Sequence, residues 1–216
     1  MPDKRITQLN PLSNPAGEDL FAVVDIDAQE TKKTTFADLT GSLQQQGAVA
    51  YGLFNQTASF TPISKSVAET SIINGGVGTL SVPANGFRVG DAYQLVAEGT
   101  CTFNNNDTLD IKVKTDGDIL TDTGAFTIAG ATNKRWKLDI NFSIYNTGSA
   151  GEAIIVSAGT FMYTKNAATT FEGVNFGTEN SSSFDTTVDN TLELTVQFSS
   201  NLNVLTTRIF TLHKIY

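Results

Sequence analysis

His213 is the only histidine in the chain and Cys101 the only cysteine, which limits the chemistry the sequence can support. A zinc site would have to combine these two with carboxylates, at spacings that match no ligand pattern. A Ser-His-Asp arrangement would depend on the same His213, and no GxSxG elbow presents a serine to it. Cys101 shares parity along its segment with Tyr93, Leu95, Ala97 and Phe103. That parity marks a small buried apolar side chain rather than a reactive thiol. Asp107, Asp110, Asp116, Asp118 and Asp122 offer hard oxygen ligands of the kind calcium takes. Their order departs from an EF-hand loop, and turns favour Asp for backbone reasons alone. The glycine-rich run Asn74 to Gly78 lacks the Lys-Ser/Thr and the helix that a phosphate loop requires. No catalytic, cofactor-binding or metal-binding residue is assigned, and the chain is expected not to be an enzyme.

Two surface chemistries remain. Tyr163, Asn166, Phe171, Asn175 and Phe176 fall in what reads as a long loop, where aromatic and amide side chains would suit a sugar. A carbohydrate-binding β-sandwich without catalysis is therefore the alternative function, set against a loop that packs on its own phenylalanines. Asn-x-Ser/Thr acceptors occur at Asn55, Asn106, Asn141 and Asn180. With 17 Asn, and 45 Ser or Thr in 216 residues, between three and four would arise by chance, so glycosylation at these positions stays open.

The elements that would position these residues are strands. The chain has 30 Thr, 18 Gly and 15 Ser with only 17% charged residues, a composition suited to pleated strands and turns. In WKLDINFSIY, Trp136, Leu138, Ile140, Phe142 and Ile144 share one face, with Lys137, Asp139, Asn141 and Ser143 on the other. Leu109, Ile111 and Val113 repeat the pattern, as do Leu192, Leu194, Val196 and Phe198. Turn residues at Asn74-Gly75-Gly76, Asn85-Gly86, Asn104 to Asp107, Asp116-Gly117, Thr147-Gly148 and Ser181 to Ser183 separate such runs. About eight to ten antiparallel strands without intervening helices must close as a sandwich or barrel, and a jelly roll fits the length better than an immunoglobulin-like sandwich. The last run, RIFTLHKIY, has apolar residues on both faces and is expected to be buried on both sides, as at a subunit interface or in a central sandwich strand with one face under a loop.

Three divisions follow: residues 1–45 as a docking or anchor segment, 46–60 as a linker or trimer neck, and 61–216 as the head domain. The first segment holds Pro2, Pro11 and Pro15 of the five prolines, and runs from the apolar DLFAVVDID through a polar turn to TKKTTF and a helical stub at ADLTGSL. Such a hairpin buries too little to stand alone and is expected to need a partner surface. In the linker, Leu43, Val49, Leu53 and Phe54 are candidates for contacts around a three-fold axis, although no sustained heptad supports a coiled coil.

The net charge of -8 and the absence of any basic run longer than two residues argue against nucleic-acid binding. No segment approaches the roughly 18 apolar residues of a membrane span. The start, Met1-Pro2-Asp3-Lys4-Arg5, lacks the apolar stretch of a secretory signal, so synthesis in a cell's cytoplasm is expected.

The elements Ile6-Thr7-Gln8-Leu9, Glu18-Asp19-Leu20 and Thr31-Lys32-Lys33 followed by Phe36-Ala37-Asp38-Leu39 resemble the N-terminal module of viral and phage fibre proteins. That resemblance covers about a fifth of the chain and implies anchoring of a fibre, spike or capsid-associated protein to other virion proteins at the particle surface. A second stretch, GTLSVPANGFRVGDAYQLVAEGTCTFNNNDTLDIKVK, resembles the strand pairs of jelly-roll heads in viral fibres and in tumour-necrosis-factor-like or complement-like proteins. It implies a homotrimer that displays its heads, with a host-surface glycan or protein receptor as a further partner.

Overall fold

The computed structural model describes residues 18–25, 30–35, 51–58, 61–166 and 170–216. The chain divides into two compact units, Met1–Val49 and Ala50–Tyr216. Expectations for Ile6 to Leu9, the helical stub at ADLTGSL, Leu43 and Val49 lie outside the described residues. Among the described residues no helix is long and apolar enough to cross a membrane.

In the first unit β1 (Leu20–Asp25) pairs antiparallel with β2 (Glu30–Thr35), in register from Leu20 opposite Thr35 to Asp25 opposite Glu30. This is the expected hairpin. None of its described side chains is buried, and Leu20 is 61% exposed.

The second unit is an antiparallel β-sandwich. Its strands begin with β3 (Tyr51–Gln56), β4 (Ile63–Ser64), β5 (Thr70–Ser71), β6 (Gly76–Gly78) and β7 (Ser81–Val82). The long strands β8 (Ala92–Phe103) and β9 (Thr108–Thr115) follow, then β10 (Asp118–Asp122) and β11 (Phe126–Thr127). The chain continues through β12 (Ala131–Asn146), β13 (Ile154–Thr164), β14 (Phe171–Asn180), β15 (Asn190–Phe198) and β16 (Val204–Lys214). Nine of these have five residues or more, which agrees with the eight to ten expected from alternation. The others are pairings of two or three residues, too short to leave a periodic signal.

One sheet runs β14-β13-β12-β8-β16-β3-β6, with β4 also on β16. The other runs β10-β9-β15-β5, with β11 on β9 and β7 on β15. The expected alternation is what fills the space between them. Trp136, Leu138, Ile140, Phe142 and Ile144 of β12 are buried, as are Leu109, Ile111, Val113, Leu194, Val196 and Phe198 from the facing sheet. Each large side chain so buried contributes roughly 1.5–3 kcal/mol relative to exposure. At one end Phe103 meets Tyr163 of its own sheet edge-on at 5.0 Å and ties the sheets together through Phe198 of the facing sheet at 5.9 Å. Nearer the other end Phe87 packs on Phe184 at 5.4 Å.

Gly99 lets β16 approach Trp136. A Cβ there would collide with the Thr206 carbonyl and lie 2.9 Å from the indole nitrogen, which donates at 3.2 Å to the carbonyls of both Thr100 and Thr206.

Two expectations are corrected by β3 and β16. The linker expected over 46–60 does not extend that far, because Tyr51–Gln56 is a strand of the sandwich. Phe54 is buried against Phe210 at 5.9 Å and Leu53 packs on the core, so neither serves a three-fold neck. From Arg208 to Lys214 of β16 only one face is buried within the chain: Phe210 and Leu212 point into the core, while Ile209 is exposed. A bulge between Thr207 and Ile209 places Arg208 as the extra residue and resets the alternation.

Candidate functional site

The residues with the most reactive chemistry are not brought together. Cys101 is in the core, where burial pushes its thiol up to about 12 and keeps it protonated. His213 is half-buried on the outward side of β16, paired with Gln94 of β8 and Gly52 of β3. Cys101 therefore faces the opposite side of the sheet. Among the described residues no three His, Cys, Asp or Glu side chains gather as metal ligands. Four of the five aspartates have local structural tasks. Asp107 accepts from the amides of Asn104 and Asn203, Asp116 from the Thr191 N–H and Asp122 from the Gly124 N–H. Asp110 lies 3.6 Å from the Lys112 ammonium.

The Asn74 to Gly78 run has a structural explanation. Gly76–Gly78 is β6, hydrogen-bonded along β3, and a Cβ at Gly76 or Gly78 would strike the carbonyl of Asn55 or Leu53. The glycines serve strand contact rather than an anion.

Of the four Asn-x-Ser/Thr positions, Asn55, Asn106 and Asn141 are exposed. Asn180 is 8% exposed, and its side chain is bonded to Ile119, Ser183 and Phe184. Asn180 is thus a structural brace.

The expected long loop from Tyr163 to Phe176 is instead largely two paired strands, β13 and β14, at the edge of the larger sheet. Tyr163 is buried in the core, with its hydroxyl accepting from the Ala129 N–H at 2.6 Å, and burial raises it to about 12. Asn166 accepts from the Thr132 N–H and braces the connection between the strands. Phe176 packs over Gly159 toward Ile140 on the inner side. Tyr163 is therefore withdrawn from any sugar platform, while Phe176 is half-buried. Phe171 and Asn175 are exposed.

The same pairing builds a different surface. Rows across β8, β12, β13 and β14 on the outward face read Gln94, Asn141, Ala158, Gly177; then Val96, Asp139, Thr160, Asn175; then Glu98, Lys137, Met162, Gly173. Ala158, Gly177 and Gly173 carry little or no side chain, so this half of the face is sunk below the polar rows beside it. The result is an open trough of about 700 Å³, lined by Gln94, Lys137, Asp139, Asn141, Ala158, Gly159, Thr160, Met162, Asn175 and Phe176. A second hollow of about 430 Å³ continues past Lys137 and Met162 to Arg135, Phe171, Arg208 and Ile209. Both volumes lie within the roughly 300–1,000 Å³ typical of ligand pockets.

The polar side chains are held in place by one another. Gln94 Nε2 donates to Asp139 at 3.2 Å, Thr160 Oγ1 donates to Asn175 Oδ1 at 2.9 Å, and Lys137 Nζ lies 3.7 Å from Asp139 and 3.8 Å from Glu98. The signal for this surface was in the sequence, as alternate small residues on VSAGTFM and FEGVNFGTEN, but Gly and Asn at those positions also read as loop.

Elsewhere, a cavity of about 60 Å³ lies between the sheets beside Leu80, Phe87, Tyr93, Phe184 and Leu192. It is space for a few waters at most and is a packing gap. At one end of the sandwich Val89, Tyr145, Ile215 and Tyr216 are all exposed. They are neighbours, since Gly90 bonds to Ile144 and Ala92 to Tyr216 through the backbone.

These features define the class of protein: an antiparallel β-sandwich with an open, polar depression on one sheet face. Comparisons with protein-family models, with curated proteins and with solved structures give no match.

Proposed function

We propose that the chain is a non-catalytic structural protein of a virus or phage particle, anchored by its first unit and displaying the sandwich at the virion surface. The observation that carries this reading is the division into a small unit, whose hairpin has none of its described side chains buried, and a large sandwich with its own core. A two-stranded ribbon is marginal in water, which supports its docking against another surface. The connectivity of the second unit supports the displayed head. The order β3-β16-β8-β12 in one sheet and β5-β15-β9-β10 in the other, with β13 and β14 added at one edge, is the order a jelly roll would have and supports that reading. Such heads associate as trimers, and we place the subunit contact at Val89, Tyr145, Ile215 and Tyr216, where exposed apolar side chains of one end lie together.

The experiment is detection of the chain in purified particles of the virus that encodes it, for the natural chain and for Leu20→Asp with Phe21→Asp. The natural chain is expected in the particle and the variant in the soluble fraction with its sandwich intact. A natural chain absent from particles would overturn the reading.

A further inference from the structure

We infer that the trough over β12, β13 and β14 binds an oligosaccharide built of uncharged sugars. The inference rests on the displayed-head reading, because the face must be open to solution.

The argument starts from the groups that line the trough. Asn141, Asn175 and Gln94 present amides, Thr160 a hydroxyl and Asp139 a carboxylate, so donors and acceptors are interleaved across adjacent strands. Strands spaced by about 4.8 Å set these groups at intervals that suit the hydroxyls of successive sugar rings. Lys137 lies 3.8 Å from Glu98 and 3.7 Å from Asp139, so the trough's one ammonium is already paired with carboxylates, which favours a neutral ligand over an acidic one. Ala158 supplies a flat floor beside Asn141, and Phe171, 71% exposed at the far end of the adjoining hollow, offers an aromatic ring to a sugar's apolar face.

The competing occupants fit less well. An extended peptide added as a strand needs the unpaired backbone of a sheet edge, whereas this is the face of four hydrogen-bonded strands. A second copy of the chain needs an interface core depleted of charge and rich in large apolar groups, whereas Met162 and the half-buried Phe176 are outnumbered in the trough by Gln94, Lys137, Asp139, Asn141, Thr160 and Asn175.

The test is calorimetric titration of the full chain with maltotetraose, cellotetraose, mannotetraose and chitotetraose. At least one is expected to bind saturably. Asn141→Ala or Asn175→Ala is expected to weaken it about five- to tenfold, the effect of one lost hydrogen bond. Ala158→Trp, which fills the floor from the outside, is expected to abolish binding. Thermal unfolding confirms that each variant is folded, and if Ala158→Trp is not, the two asparagine variants decide. Failure of all four sugars to bind, or binding unchanged in the folded variants, would overturn the proposal. So would conversion of an oligomer to monomer by Ala158→Trp, which would assign the face to a second copy. Light scattering on the same samples separates the two readings: an oligomer that binds no sugar sinks the trough proposal alone, and a monomer that binds sugar sinks the assembly alone.

Discussion

Asn180 and Thr207 illustrate how single polar groups are handled inside this sandwich. Asn180 closes the path from β14 to β15: its amide donates to the Ile119 carbonyl at 3.0 Å and to Ser183, while its oxygen accepts from the N–H groups of Ser183 and Phe184. Asn180→Ala leaves several of those groups buried without partners and is expected to cost about 1–3 kcal/mol in urea unfolding. Thr207 is the opposite case, a fully buried hydroxyl with no hydrogen-bond partner among the described residues. Thr207→Val keeps the shape and removes the orphan, so the same measurement is expected to show a gain of about 1 kcal/mol. At this scale the sequence identified Cys101 and the inward faces of β8 and β12 correctly, because alternation is local. It presented Asn180 as a glycosylation acceptor because the motif spans three residues, whereas the bonds that bury it reach Ile119, about sixty positions away.

Between elements, charge and close approach fix what alternation leaves free. Glu69 reaches from the stretch before β5 to Lys112 and Lys114 of β9, both at 2.9 Å, and accepts from Thr195 of β15. Hydrogen bonds from the two ammonium groups, and then from Thr195, lower its carboxyl from 4.5 to about 2. A folded value below the unfolded one stabilises the native state above about pH 4.5, and the contribution disappears as pH falls toward 2. Glu69→Gln is therefore expected to be less stable than the natural chain near neutral pH and equal to it near pH 2, when urea midpoints are compared across that range. Gly99→Ala would press into the Thr206 carbonyl and the Trp136 indole, and is expected to lower stability by about 1–3 kcal/mol in the same assay. The long strands were legible, above all β12, whose five inward residues are buried. The pair β13 and β14 was partly misread as a loop. Its Gly159, Gly173 and Gly177 are selected by close contact with neighbouring strands and rings, a requirement that sets no period along the chain.

For the whole molecule, the all-β class and the sandwich followed from composition and repeated alternation. The order of strands did not. Which strands become neighbours depends on loops that cross between sheets, as between β8 and β9 or β14 and β15, and alternation is silent on that. The trough is a property of this order, since it exists only where β8, β12, β13 and β14 lie side by side. The assembly reading is likewise a statement about the whole chain, and one measurement tests it most directly. Multi-angle light scattering of the purified full chain is expected to give three times the 23.1 kDa of one copy, falling to one copy when Ile215→Ser and Tyr216→Ser remove the apolar end. A natural chain that runs as a monomer at every concentration examined would contradict the account.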